Sequence, residues 1–101
     1  MISVLAFVRV KPGRLSDLIR EFDANVGHVR AENGCIEYYA AVDIETGLGV
    51  QVLDADMVTV IEKWESLEAL RAHLAAPHMA TYREKVKDIV DGVTLKVLRA
   101  P

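Results

Sequence analysis

The sequence predicts an α+β fold, a ferredoxin-like sandwich of order β-α-β-β-α-β in a single domain, residues 1–101. Three observations lead there. Runs that alternate at period two are separated by runs with helical spacing. The helical runs sit between strand-like ones, so right-handed crossovers would set both helices on one face of an antiparallel sheet. The 101 residues are 51% hydrophobic and 27% charged, enough for one core and incompatible with intrinsic disorder.

The first strand is expected over residues 2–11. It puts Ile2, Val4, Ala6, Val8 and Val10 on one face and Ser3, Leu5, Phe7, Arg9 and Lys11 on the other. Both faces are apolar in the middle, so both need cover. Lys11-Pro12-Gly13 breaks the strand. Leu15, Leu18, Phe22, Val26 and Val29 then recur at steps of 3, 4, 4 and 3, an amphipathic helix that Asn33-Gly34 should end.

Residues 35–43 read as a second strand with Ile36, Tyr38, Ala40 and Val42 on one face and Glu37, Tyr39 and Ala41 on the other. Residues 44–56 have no helical period; a short extra strand is expected at Val50–Leu53. The third strand, 57–65, is rich in β-branched residues and gives Val58, Val60, Glu62 and Trp64 one face. Ser66 has the chemistry of a helix N-cap before LEALRAHL. Pro77 opens a second helical piece carrying Met79, Tyr82, Val86 and Val90, which Gly92 closes before a final strand at 93–98.

Two helices on one side leave the other side of the sheet bare. Leu5, Phe7, Val58 and Val60 are expected on that bare face. The simplest cover is the same sheet of a second copy, an isologous homodimer with room for a pocket between sheets and helices.

Composition excludes other classes. A net charge of −3 with scattered Lys and Arg provides no basic field for a nucleic acid. No apolar run approaches the roughly 20 residues that span a bilayer, so no membrane partner is expected. The N-terminal run reads as a strand rather than a signal peptide, and the cytoplasm is the expected compartment. Cys35 is the only cysteine, which excludes an intramolecular disulfide and a Cys-rich metal site.

Several segments carry a resemblance: VRVKPG (8–13), RAENGC leading into IEYY (30–39), and IEKWESLEALRAHLAAPHMATY (61–82). Together they resemble the antibiotic biosynthesis monooxygenase family, and the stretch between Asp43 and Met57 and the sequence around Pro77 resemble its quinol monooxygenase branch. The resemblance implies a dimeric α+β barrel that uses no flavin, haem or metal. Its enzymes oxidise electron-rich aromatic molecules with O2, as in quinol or anthrone to quinone. The family also holds haem-degrading members, and those are expected to carry an Asn on the first strand, where residues 3–11 offer none.

Chemistry of that kind needs aromatic walls, one or two titratable groups and a dry pocket. Trp64, the only tryptophan, reads either as a core anchor or as a wall that stacks on a planar ring. In the family the matching residue lines the cavity. Glu62 lies two residues before it on the same side, a candidate base or half of an ion pair with Arg71 or Arg83. His73 is a candidate general base, or a helix-end residue bonded to a backbone carbonyl. His78 stands beside it in the reckoning, or is a surface residue of a first helical turn. Their spacing of five does not suit a zinc site, and the resemblance implies that no cofactor is used. Phe7, Tyr38 and Tyr82 are the aromatic residues assigned, with His78, to substrate binding. Packing is the competing role for Tyr82, and either Tyr38 or Tyr39 must look toward the second sheet. His28 is expected to face solvent, and Cys35 to be a small inert hydrophobe.

The expected function is a cofactor-independent monooxygenase acting on a hydroquinone-like or polyphenolic molecule, with Trp64, His73 and Glu62 as catalytic candidates. The alternatives are a non-catalytic dimeric module that binds a hydrophobic ligand, a haem-degrading monooxygenase, and an isomerase on the same scaffold.

Overall fold

The computed structural model describes all residues, Met1–Pro101. Its elements run β1 (Ile2–Val10), α1 (Leu15–Arg30), β2 (Cys35–Ala41), β3 (Met57–Trp64), α2 (Leu67–Ala75), α3 (Pro77–Val86) and β4 (Val90–Leu98). The strands form one antiparallel sheet in the order β2-β3-β1-β4, the ferredoxin-like arrangement the sequence predicts.

Local chemistry accounts for most boundaries. Gly13 turns the chain out of β1 at a φ of +79°, where a side chain would be strained. The predicted stripe of α1 does pack inward: Leu18, Phe22 and Val29 are buried, and Leu15 and Val26 partly so. The helix stops at Arg30, and Gly34, at φ +81°, begins the return to the sheet. A Cβ on Gly34 would stand 2.6 Å from that of Ala69, so only glycine fits between the α1–β2 turn and α2. The Ser66 side chain accepts the Ala69 N–H at 3.1 Å, an N-cap as expected. Pro77 starts α3, and an extended Ala76 (ψ 139°) separates it from α2.

Three expectations fail, each because tertiary pairing decides. Residues 50–53 form no strand; Val50 is 95% exposed. That segment has no neighbouring strand and instead bonds to itself, with Asp54 N–H donating to Asp43 Oδ2 and Gln51 Nε2 donating to the Ile44 carbonyl. Helix α3 ends at Val86, so neither Val90 nor Gly92 belongs to it. Val90 pairs with Val10 and Gly92 with Arg9, and the ladder to β1 overrides the helical spacing.

The third correction moves two residues across the sheet. The β1–β3 register sets Val4 opposite Glu62, Ala6 opposite Val60 and Val8 opposite Val58. Directly paired residues share a face. Val58 and Val60 therefore face the helices, where they are 1% and 5% exposed, and not the bare side. The uncovered face instead carries Leu5, Phe7, Thr59, Ile61, Tyr39, Thr94 and Lys96. Trp64, which shares the side of Val58 and Val60, is 0% exposed within a single chain. Its burial needs no second copy.

Candidate active site

Alternation along β3 points Glu62 and Trp64 into the layer between sheet and helices. The Trp64 indole Nε1–H donates to Glu62 Oε1 at 3.0 Å. The imidazole of His73, from the last turn of α2, lies 4.7 Å from the indole, centroid to centroid, tilted by 33°. Tyr38 on β2 meets both rings edge-on, at 5.3 Å from His73 and 6.4 Å from Trp64. Phe22 of α1 stacks on Tyr38 at 5.4 Å with the planes 6° apart. Four aromatic rings from α1, β2, β3 and α2 thus form one continuous stack, with a carboxylate at its far end.

The electrostatics of the stack follow from burial. Glu62 has neither Arg71 nor Arg83 as an ion partner, and no other cation pairs with it. Desolvation pushes its carboxyl up to about 7, against the indole N–H that favours the ionised form; the charge of Glu32 pushes the same way as burial. Burial also holds His73 below the ordinary imidazole value, although Glu32 opposes this. His73 is 2% exposed and bonds not to a backbone carbonyl but to a carboxylate, Nδ1 lying 3.0 Å from Glu32 Oε2. A neutral imidazole facing a carboxylate donates its Nδ1–H to it. That leaves Nε2 with a free lone pair, the form a general base needs.

The raised Glu62 carboxyl makes a prediction about stability. A folded pKa above the unfolded one means the native state binds the extra proton, so its stabilising contribution is complete below pH 4.5 and is lost as pH rises through about 7. The loss is about 3 kcal/mol at the conversion of 1.36 kcal/mol per unit. Glu62→Gln removes the titration. Urea unfolding between pH 4.5 and 8 should show that the stability of the wild-type protein falls relative to that of the variant as pH rises, the His73 contribution being common to both. Parallel curves would show that Glu62 is not the titrating group.

Glu32 is a member of the site that sequence reasoning missed. It lies in the turn after α1, where no periodicity singles it out; its place in the RAENGC segment was the only signal. Its Oε1 also meets His78 Nε2, so one carboxylate joins the last turn of α2 to the first turn of α3. His78 is thus partly buried and paired rather than a free surface residue. His28 is exposed as expected, its ring 5.7 Å from that of His78.

Beside the stack an apolar cleft of about 490 Å³ opens between sheet and helices. Tyr38, Val60, Met79 and Tyr82 line it, and Arg83 and Lys87 are its only charged wall residues. Tyr38 and Phe22 belong to both cleft and stack, which makes the two continuous. Burial pushes the Tyr82 phenol up to about 12 and that of Tyr38 higher still, so both face the cleft as neutral rings. Phe7 is not among the cleft residues. Strand alternation puts it on the far face of the sheet, paired with Thr59 and Thr94. No three His, Cys, Asp or Glu side chains are placed to hold a metal ion together. Cys35 is partly buried, and desolvation raises its thiol further from reactivity.

Comparisons with known proteins bear on the family and the fold. The family model described as "Antibiotic biosynthesis monooxygenase" matches residues 1–85. The Escherichia coli protein named "Probable quinol monooxygenase YgiN" is 36% identical over 101 residues, covering 98% of this chain and 97% of that protein. Among solved structures, Rv0793 from Mycobacterium tuberculosis aligns with a TM-score of 0.80 at 27% identity, over 99% of this chain and 94% of its own. PA3566 from Pseudomonas aeruginosa aligns at 0.81 with 25% identity, over 99% and 93%.

Proposed function

Because this chain belongs to the antibiotic biosynthesis monooxygenase family, we propose that it is a cofactor-independent monooxygenase that uses O2 to oxidise an electron-rich aromatic molecule, hydroquinone-like or polyphenolic. The observation that carries the reading is the aromatic stack of Phe22, Tyr38, His73 and Trp64, which ends on a carboxylate and continues into an apolar cleft.

Ground-state O2 is a triplet and reacts slowly with closed-shell molecules, whereas an ionised phenol can pass it one electron. The protein's task is then to bind a flat ring, take its proton and keep water away. In this reading Tyr38, Met79 and Tyr82 hold the ring, and Trp64 backs the base. His73 removes the phenolic proton. The radical pair combines at a ring carbon, and Glu62, titrating near 7, returns a proton as the O–O bond breaks. One oxygen atom stays on that carbon as a carbonyl and the other leaves as water. The substrate supplies both hydrogens, one from the phenolic O–H and one from the ring C–H that the Glu62 carboxylate takes back, and all four electrons, so no outside reductant is needed.

The same reading makes the protein a homodimer. A second copy laid on the bare face of the sheet would cover Leu5, Phe7, Ile61 and Tyr39, which gives Phe7 an interface role instead of a substrate contact. The cytoplasm is the compartment proposed, where the lone Cys35 thiol stays reduced.

The test is oxygen uptake with a panel of hydroquinones and naphthohydroquinones, corrected for autoxidation. Protein-dependent uptake with one atom from ¹⁸O2 in the product is the expected result. Quenching of Trp64 fluorescence by the same compounds without uptake would favour a ligand-binding module instead.

A further inference from the structure

We propose that Arg83 and Lys87 select a substrate whose aromatic ring carries a carboxylate. The ring enters the apolar cleft, and the carboxylate stays at its mouth against the Arg83 guanidinium. The inference rests on the monooxygenase reading above and deepens it by naming a substrate class for the same cleft.

The charge of the cleft runs against that of the chain. The protein has 15 acidic and 12 basic side chains. Of the 14 residues that line the cleft, 12 are hydrophobic and the other two are both cations, with no carboxylate among them. Arg83 and Lys87 are four residues apart at the end of α3, so they share one face of the helix. Arg83 has no counter-ion, since none of the ion pairs in the protein includes it. Its Nη2 donates to the Leu74 carbonyl in the last turn of α2, and Leu74 is itself a cleft residue. That bond holds the guanidinium at the cleft and leaves its other N–H groups free for a ligand. Lys87 differs, because its Nζ already meets Glu84. One uncompensated cation remains, which suits a singly charged carboxylate better than a doubly charged phosphate ester. The guanidinium fork also matches the two oxygens of a carboxylate.

An anchored anion solves a definite problem. A flat ring in an apolar cleft has little to fix which of its edges faces the base. A charge held at one end removes that freedom, because the apolar interior rejects it and the cation at the mouth accepts it. At about 490 Å³ the cleft is roughly three times the cavity of about 150 Å³ that holds one benzene, so one or two fused rings fit behind the anion. Arg83 is also near the chemistry, since its charge reaches His73 and opposes protonation of the imidazole. A long cation can lie over apolar surface merely to cover it. Cover would not require the cations to be free of acids, nor favour a charged ligand over a neutral one of the same shape.

The experiment separates binding from oxidation. 2-Naphthylacetate and its methyl ester are probes of similar shape and different charge that the enzyme does not need to oxidise, and calorimetry at low salt gives the Kd of each. The acid should bind the wild type roughly tenfold or more tighter than the ester. Arg83→Gln should bring the two affinities to within about twofold of each other, and Arg83→Lys should keep part of the difference. Arg83 is exposed, so these variants should fold, which thermal melting checks. Lys85→Gln makes the same change of charge on α3 outside the cleft and should leave the preference intact. High salt should weaken the acid and spare the ester. In oxygen uptake, a naphthohydroquinone with a carboxymethyl group should show a KM roughly tenfold below that of its methyl ester, with kcat within about threefold. Equal affinity for acid and ester in the wild type, a preference that survives Arg83→Gln, or one that Lys85→Gln abolishes as fully, overturns the proposal; uptake with uncharged hydroquinones then leaves the monooxygenase reading standing. A preference lost only in the Arg83 variants, in a protein that consumes no oxygen with any hydroquinone, supports the carboxylate site and sinks the monooxygenase reading.

Discussion

Replacing His73 with asparagine is expected to lower kcat for hydroquinone oxidation roughly 10²–10⁴-fold, the range for loss of a general base. Asparagine can still donate to Glu32, so the link between α1 and α2 is kept while the basic nitrogen is lost. In the wild type, activity should rise with pH through a value below the ordinary imidazole range, because the neutral ring is the base and burial favours it. His73→Asn should lose that limb of the profile. Steady-state oxygen uptake, normalised to the folded fraction by circular dichroism, measures both effects. A kcat within threefold of the wild type would remove His73 from the chemistry.

Trp64→Ala should remove a large share of the protein's stability. The indole is 0% exposed and is the largest fully buried side chain of the core. Truncations of this kind cost about 3–5 kcal/mol. Whole domains of this size have only about 5–15 kcal/mol to lose. Thermal melting should register a fall in Tm of roughly 15–30 °C. An indole packed this deeply and lying against His73 holds the core together whatever it does in the site. Trp64→Phe separates the two roles, since it keeps a ring against His73 and removes the N–H that holds the Glu62 proton affinity down. It should melt within a few degrees of the wild type and shift the Glu62 titration upward. A Trp64→Ala protein that melts near the wild type would contradict the packing described.

The part of the site that alternation governs was legible in the letters. Glu62 and Trp64 had to share a side of one strand, and they do, joined by a hydrogen bond. For His73 the letters left open whether it turned inward or capped the helix end, and the structure places it inward, 2% exposed. Glu32 had no periodicity to mark it. It occupies a turn, and a turn residue acquires its neighbours from whatever packs over it, here α2 and α3. Tyr38 and Tyr39 could not be separated for a related reason. Period two says that they oppose one another, and only the register with β3, Tyr38 opposite Glu62, says which one faces the helices.

By itself the sequence determined the quantities that depend on neighbours along the chain: the apolar stripe of α1, the Ser66 cap, the break at Pro77, the alternation of β1 and β3, and from these the order of elements. Tertiary structure decided which face of the sheet the helices cover, where α3 yields to β4, that residues 50–53 find no strand to pair with, and that one carboxylate joins two histidines. Periodicity reports that a segment has two faces, whereas the choice between them depends on contacts formed by residues tens of positions away.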